Sequence, residues 1–320
     1  MLTELSKSGE PRTNTVCLTL YEGDYVWGVG ALANSLYRAG FRGTLVVGYR
    51  GDLPAWVPRA QATASEWQVA PGFQLVFSKL PEGAGIHQLK PYAMIRVLDE
   101  LAPAADRIFF FDADVIVLAK WPYFEALVEE GVALVIDHWF SRVAMAHPWR
   151  RAWAKLCTDA GFTVRPDEDY YGSAFCGVSR RYRAIIDAWW RLTLVLQEQR
   201  PEIAPCLKPG DRMTDPFHGT DQDLLAAAVM ATEVPICPLG PEAFGFTGSP
   251  NTMLHPMVEK PWRRSALVQL VGRGHRPDLY ARNYWRYLDA PIIVRRRAAR
   301  WSQRLDVGTA SALARAYGGA

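Results

Sequence analysis

Two acidic side chains stand one residue apart directly after an apolar segment. Asp112 and Asp114 belong to the stretch FFFDADVIVL, and the preceding Arg107–Phe111 (RIFFF) is typical of a strand in the middle of a parallel sheet. If the chain stays extended there, residues i and i+2 point to the same side, so both carboxylates face one small volume. Two negative charges held so close are costly without a cation between them. The spacing therefore predicts a site for Mg²⁺ or Mn²⁺, which prefer carboxylate and phosphate oxygens.

The same D-x-D pattern has other interpretations. It occurs by chance in solvated loops, although its position between the apolar segments RIFFF and VIVL favours a metal site. Haloacid-dehalogenase-like phosphatases also carry D-x-D after an apolar strand, close to the N-terminus, and complete it with a later acidic loop such as GDxxxD. Here the pair lies over a hundred residues into the chain, and the only later Gly-Asp, Gly210-Asp211, is followed by RMTD. A phosphatase is therefore disfavoured.

The elements before the acidic pair alternate between strands and helices. The apolar pattern predicts the strands Thr15–Leu20, Thr44–Tyr49, Phe73–Phe77 and Arg107–Phe111, and the helices Val26–Ala39 and Lys90–Leu101. Gly40 is placed to end the first helix. Such alternation predicts an α/β fold, in which ligands bind beyond the carboxyl ends of the strands.

The rest of the chain is less regular. We expect strands at Ala133–Ile136 and Val234–Pro238, helices at Trp149–Ala160, Tyr182–Gln197 and Asp221–Ala231, and a loop at Arg200–Pro216. Residues 1–14 are interpreted as an N-terminal extension, residues 15–290 as the catalytic domain and residues 291–320 as a basic tail. The tail carries Arg295, Arg296, Arg297, Arg300 and Arg304 beside Ile292, Ile293, Trp301 and Leu305. Two interpretations of it stay open: an amphipathic helix lying on an anionic membrane, or a helix packed on the domain with its arginines in water.

Composition restricts the class of protein. Of the 320 residues 49% are hydrophobic and 22% charged, which suits a folded globular protein, and the net charge of +3 gives no case for nucleic acid as a partner. The first residues lack the apolar stretch of a signal peptide, and no apolar run is long enough to cross a bilayer. The cysteines are scattered singly, which argues against disulfides and structural zinc and favours the cytoplasm. They are Cys17, Cys157, Cys176, Cys206 and Cys237.

Four stretches resemble, in the same order, the motifs of family 8 glycosyltransferases, the family of glycogenin and the bacterial lipooligosaccharide galactosyltransferases. They are TLYEGDYVWGVGALANSL, FFFDADVIV, TDQDLL and HPMVEKPW, and the resemblance covers residues 15 to 262. It implies the GT-A fold, a Rossmann-like mixed sheet flanked by helices. It also implies transfer of a sugar from a nucleotide diphosphate donor, a UDP-sugar, to the hydroxyl of a glycan, small-molecule or protein acceptor, with retention and with Mn²⁺ or Mg²⁺.

The resemblance assigns roles around the donor. Thr19, Tyr21 and Tyr25 fall at positions that contact the nucleotide base and ribose. Arg96 stands close to where the family places a basic residue near the donor sugar. Asp112 takes part in holding both the metal and, through it, the donor. Lys260, in KPW, would neutralise the diphosphate, a role that suits the point charge of lysine.

The later motifs supply further candidates. His255 is implied as the third metal ligand beside Asp112 and Asp114, with His275 in GRGH as the rival. Gln222 and Asp221 take catalytic roles by resemblance; a neutral amide is a poor nucleophile, which favours attack from the leaving-group face, with Asp221 orienting the sugar or acceptor. Asp223 is interpreted as a helix cap. Tyr170-Tyr171 is a candidate for lining the acceptor site.

The sequence also departs from the family pattern. Ala226 stands where the family closes DQDxLN with Asn, and YYGSAFCGV, with Phe175 at an expected Asn, resembles family 6 instead. The gap between His255 and Lys260 is one residue short. These departures leave the exact family and the acceptor open. A non-catalytic sugar-nucleotide or glycan binding protein of the same fold is the alternative function. A sugar-nucleotide pyrophosphorylase is a second, but YEGDY lacks the glycine-rich loop that such enzymes need.

Overall fold

The fold is built around a mixed β-sheet. A computed structural model describes residues 14–58, 66–83, 85–203, 214–246, 252–256 and 259–317. The strands are β1 (Thr15–Tyr21), β2 (Gly43–Tyr49), β3 (Glu66–Ala70), β4 (Phe73–Lys79), β5 (Arg107–Phe111), β6 (Ile116–Val117), β7 (Val132–Ile136), β8 (Tyr171–Ser179), β9 (Ile236–Leu239) and β10 (Met253–Leu254). The helices are α1 (Val26–Ala39), α2 (Lys90–Arg96), α3 (Trp121–Glu130), α4 (Pro148–Asp159), α5 (Ala184–Gln199), α6 (Asp221–Met230), α7 (Ala266–Arg273), α8 (Leu279–Tyr284) and α9 (Arg297–Tyr317).

The main sheet has the strand order β3-β4-β2-β1-β5-β8-β7-β9. Strands β4, β2, β1 and β5 are parallel, β8 is antiparallel to both β5 and β7, and β9 is parallel to β7. The predicted α/β class with a mixed sheet flanked by helices is confirmed. Strand β5 lies inside the sheet as expected, but the expectation of parallel neighbours on both sides is wrong, because β5 pairs parallel with β1 and antiparallel with β8.

Alternate residues of each strand point to two hydrophobic layers on opposite faces of the sheet. In β5, Ile108 and Phe110 join the layer formed with α2, α4, α5 and α6, whereas Phe109 and Phe111 join the layer that contains α1 and α3. Burial of each such side chain contributes about 1.5–3 kcal/mol. This packing fixes the position of the end of β5, where the acidic pair follows.

The agreement with the expected elements is best in the first half of the chain. Helix α1 and strand β5 have the predicted bounds, and Gly40 ends α1 with a left-handed φ of 101°. The helix predicted over Lys90–Leu101 continues from α2 into a turn of π-helix at Val97–Leu101. Strand β8 and helices α3, α7 and α8 were not expected, and residues 204–213 of the expected Arg200–Pro216 loop lie outside the described residues.

A small second ladder lies beside the main sheet. Strand β6 pairs antiparallel with β10, with Ile116 opposite Leu254 and Val117 opposite Met253. Strand β6 follows the acidic pair and β10 precedes His255, so this ladder brings the histidine back to the end of β5.

The segment interpreted as an appended tail begins inside the core. The Asn34 side chain accepts a hydrogen bond from Ile292 N at 2.8 Å and donates one to Ile292 O at 2.9 Å. Ile292 and Val294 are buried, and a Cβ on Gly30 would lie 2.4 Å from Val294. The expectation of a separate tail from residue 291 therefore needs correction, because Ile292 and Val294 pack on α1.

Helix α9, after that segment, is amphipathic. Val307 and Ala310 are buried, whereas Trp301 is 50% and Leu305 63% exposed. Of the helices in the described residues, none is long and apolar enough to cross a membrane.

Candidate metal centre

The acidic pair sits in a tight turn rather than in extended chain. Asp112 N donates to Ala174 O of β8 at 2.8 Å, and Val115 N closes the turn onto Asp112 O at 3.0 Å. The i, i+2 argument therefore gives the wrong reason for the convergence of the two carboxylates, because the turn, not an extended strand, brings them together. Helix α1 supports this turn closely: a Cβ on Gly28 would lie 2.3 Å from the carbonyl oxygen of Ala113, so only glycine fits there.

His255 completes a three-residue cluster with Asp112 and Asp114. One ligand atom of each residue lies within 4.8 Å of the others, and His255 Nε2 is 3.4 Å from Asp114 Oδ1. Metal–ligand bonds of about 2.0–2.6 Å span such a spacing with small side-chain shifts. Two carboxylates and one imidazole fit Mn²⁺ or Mg²⁺, with positions left for water and phosphate oxygens. His275, the rival ligand, is an exposed residue outside the cluster.

Lys260 lies against the same cluster. Its ammonium contacts Asp114, and it stands 5.7 Å from the centre of the Tyr25 ring. Asp114 itself is only 3% exposed, which makes it the most buried of the three candidate ligands. Thus Lys260 and Tyr25 both adjoin the centre.

A second lysine, which the sequence analysis did not single out, joins the two acidic motifs. The ammonium of Lys90, at the start of α2, lies 2.9 Å from Asp112 Oδ1 and 2.8 Å from Asp221 Oδ2. It also donates to Ser173 O at 3.1 Å, and the Ser173 hydroxyl donates to Asp221 at 2.7 Å. The only signal in the sequence is a lysine at the first position of the helix that precedes β5, and this does not by itself indicate the contact with Asp221.

Arg96, predicted to occupy this basic position, lies elsewhere. Its guanidinium bonds Ser78 Oγ at 2.9 Å and Glu100 at 3.0 Å. Arg96 is at the end of α2, whereas Lys90 is at its beginning, next to the carboxyl end of β5. The structure thus brings Lys90, not Arg96, into contact with Asp112 and Asp221.

Burial and neighbouring charges act in opposite directions on the pKa values of the cluster. Burial raises the pKa of Asp112, and the charge of Asp114 adds to this while Lys90 opposes it. Burial alone would raise the pKa of Asp114 too, but His255 and Lys260 outweigh it and hold that pKa well below its usual value. Burial disfavours the charge of Lys90, yet the two aspartates outweigh burial and raise its pKa. Asp114 and Lys90 therefore both remain charged at neutral pH.

The start of α6 carries the DQD motif. Asp221 is buried against Lys90, and Gln222 Nε2 donates to Asp137 Oδ2 at 3.1 Å. Thr220, the residue before the helix, has a φ of 27°, a conformation that costs energy for a residue with a side chain. This strained N-cap places Asp221 in contact with Lys90, which links the motif to the metal centre.

Asp223 is more than a helix cap. It does accept from Gly219 N at 2.7 Å, which is a capping bond, but it is fully buried and also accepts from the Tyr170 hydroxyl at 2.7 Å. Burial raises the pKa of Asp223 to about 8. Tyr170 and Tyr171 are 1% and 2% exposed, so the expectation that they line an acceptor site is wrong.

The candidate nucleotide contacts are not equally placed. Thr19 is fully buried in β1, and Tyr21 is buried with its hydroxyl donating to Asp52 O at 2.9 Å. Their side chains present no surface to a ligand in this structure, because both point to the face of the sheet that is covered by the layer containing α1 and α3. Tyr25, after the strand, is half-buried and faces Lys260 and Trp262.

Comparison with models of known protein families gives no match to this chain, and comparison with curated proteins gives none.

Proposed function

We propose that this protein is a retaining, metal-dependent glycosyltransferase of the GT-A type, with a nucleotide diphosphate sugar as donor. The observation that carries the proposal is the convergence of Asp112, Asp114 and His255 beyond the end of β5, with Lys260 against them. The carboxyl end of such strands is where α/β proteins bind ligands. The resemblance of the four sequence motifs to family 8 supports the same class.

The charges of the site favour a donor that arrives with a metal. Three carboxylates, those of Asp112, Asp114 and Asp221, face the two ammonium groups of Lys90 and Lys260. Without a divalent cation the group carries an excess of one negative charge, which repels a diphosphate. A divalent cation reverses the sign of that excess, so the cluster then attracts the diphosphate.

Each residue has a role in this scheme. A metal bound by Asp112, Asp114 and His255 would stabilise the negative charge that develops on the leaving diphosphate. Lys260 adds positive charge on the same side. Lys90 holds Asp221 and Asp112 in fixed positions, and Asp221 and Gln222 border the space next to the donor. Because the Gln222 amide is a poor nucleophile, retention is best explained by acceptor attack from the face that the diphosphate leaves.

Titration calorimetry of UDP tests the proposal. We expect UDP to bind with Mn²⁺ or Mg²⁺ and to bind at least about tenfold more weakly with EDTA. A panel of nucleotide sugars with Mn²⁺ should then show release of UDP from at least one donor. Equal affinity with and without the metal would overturn the metal-dependent mechanism.

A further inference from the structure

An exposed tryptophan stands on the loop after β7. Trp139 is 72% exposed, and its neighbours Ser141 and Arg142 are exposed polar residues. Burying such a ring in a ligand contact would release water from a large apolar surface. A single ring among polar residues is too small a patch for a stable protein interface.

The loop that carries this ring is held in a defined shape. Asp137 Oδ1 accepts from Trp139 N at 2.8 Å and from Phe140 N at 2.9 Å. The other oxygen of Asp137 accepts from Gln222 of the DQD motif at 3.1 Å. The tryptophan is therefore tied to the start of α6, next to the residues proposed to border the donor.

A row of rings connects Trp139 with the metal centre. The ring centres of Trp139 and His138 are 4.5 Å apart, those of His138 and Phe246 are 4.2 Å apart, and those of Phe246 and His255 are 6.0 Å apart. The Nε2 atom of His138 is buried and has no hydrogen-bond partner among the described residues. Because that atom has no accessible surface, the row offers a ligand mainly the exposed ring of Trp139 and the exposed polar side chains of Ser141 and Arg142 that follow it.

We propose that this row, defined by Trp139, His138 and Phe246, is the acceptor subsite and that it binds a sugar ring. A pyranose has an apolar face of C–H groups and a polar rim of hydroxyls. The negative face of the indole attracts the C–H groups, while exposed polar side chains such as those of Ser141 and Arg142 receive the rim. The acceptor is accordingly a glycan, with its reacting ring near His255 and a more distant ring on Trp139. The role of this subsite as the acceptor site rests on the proposed transferase function, whereas the binding of a sugar there does not.

Binding to an array of immobilised oligosaccharides, with UDP and Mn²⁺ present, tests the subsite. Trp139→Ala should weaken binding to the glycans that the wild type retains by about tenfold or more, the size of one lost stacking contact. Trp139→Phe should keep most of the binding, because it preserves an aromatic face. Trp301→Ala is the matched control: it removes an exposed ring on α9, and its glycan binding should equal that of the wild type.

The outcomes separate this inference from the proposed function. Unchanged glycan binding by Trp139→Ala, or no glycan bound by the wild type, would overturn the subsite even if UDP binds with metal. Glycan binding that depends on Trp139, in a protein that binds no UDP, would keep the subsite and overturn the transferase. Metal-dependent UDP affinity of Trp139→Ala equal to that of the wild type would show that the variant is folded. Once a donor is known, the acceptor KM should rise in Trp139→Ala far more than kcat falls.

Discussion

The ammonium of Lys260 contacts the carboxylate of Asp114, the most buried of the three candidate metal ligands. Burial disfavours the charge of Lys260, but Asp114 outweighs burial and raises the pKa of the lysine. The lysine thereby supplies positive charge beside Asp114, where a metal ion bound by the same carboxylate would also lie. A metal and Lys260 therefore compete for Asp114, whereas they cooperate in attracting a diphosphate.

This competition predicts opposite effects of Lys260→Ala on two ligands. Without nucleotide, the variant should bind Mn²⁺ more tightly than the wild type, because Asp114 loses a competing cation. With saturating Mn²⁺, it should bind UDP about tenfold more weakly, because one positive charge near the phosphates is gone. Calorimetric titration of each ligand measures both effects. Lys155→Ala, which removes an exposed lysine paired with Asp159, is the control and should change neither. A fall in both affinities would contradict the competition.

Lys90 and Arg96 offer a direct comparison between the structure and the family resemblance. Lys90→Met leaves Asp112 and Asp221 without their shared cation, and breaking such a buried pair costs about 3–5 kcal/mol of stability. We expect a lower unfolding midpoint in urea without metal and a large loss of turnover. Arg96→Ala removes contacts to Ser78 and Glu100 and should leave turnover near that of the wild type. A larger loss of turnover in Arg96→Ala than in Lys90→Met would instead place Arg96 at the donor site.

The sequence predicted the parts of the fold in which local pattern and tertiary structure agree. Helix α1 and strand β5 have strong apolar periodicity and a clear end signal, and both were predicted with the observed bounds. Strand β8 was missed because YGSAFCGVS contains small and polar residues, although it is central in the sheet. Packing explains one of its two glycines: a Cβ on Gly177 would lie 2.8 Å from the Phe109 ring, a contact that no local pattern shows.

The candidate site was predicted in part. The spacing of Asp112 and Asp114 and the motif around His255 placed the three candidate ligands in one group, as the structure has them. Lys90 could not be found by pattern, because its role depends on Asp221, which lies far along the chain and reaches it only through the packing of α6. Whether an acid such as Asp223 is exposed to solvent or buried against a tyrosine is likewise a property of the tertiary structure.

Asp223 predicts a pH dependence of stability. Burial raises its pKa in the folded protein to about 8, while an unperturbed aspartate has a pKa of about 3.9. The folded state therefore binds more protons between these values, and this residue's contribution to stability is complete below about pH 4 and lost as the pH rises to about 8. Asp223→Asn, which stays neutral, should lack this loss. Urea unfolding from pH 5 to 8 should show the wild type losing stability relative to the variant; parallel curves would mean that Asp223 is ionised throughout.

The C-terminal helix predicts separable effects on folding and membrane contact. Deleting residues 291–320 removes the buried Ile292 and Val294, each worth about 1.5–3 kcal/mol, so we expect the shortened protein to unfold at much lower urea concentration. Replacing Trp301 and Leu305, which are half or more exposed, by Ser should lower stability much less than the deletion does. If α9 rests on anionic lipid, that double variant should bind phosphatidylglycerol vesicles more weakly in a sedimentation assay. Tyr123→Ser, on α3, serves as control, and equal vesicle binding by all three proteins would exclude the membrane contact.

Asp114→Asn is the variant on which the metal assignment depends most. It keeps the shape of the side chain but removes the charge that a metal ligand supplies, so turnover should fall about a thousandfold or more if the metal stabilises the leaving diphosphate. Because Asp114 is buried against Lys260 and His255, the substitution should also lower stability without metal, by about 1–3 kcal/mol. Circular dichroism at the assay temperature establishes that the variant is folded, and calorimetry should show that Mn²⁺ no longer tightens UDP binding.

Asp99→Asn, the control, removes an exposed aspartate paired with Arg183 and should transfer sugar at the wild-type rate. If Asp114→Asn did the same while folded, the cluster at the end of β5 would not be a catalytic metal site, and the charge argument for a metal-bound donor would fail with it.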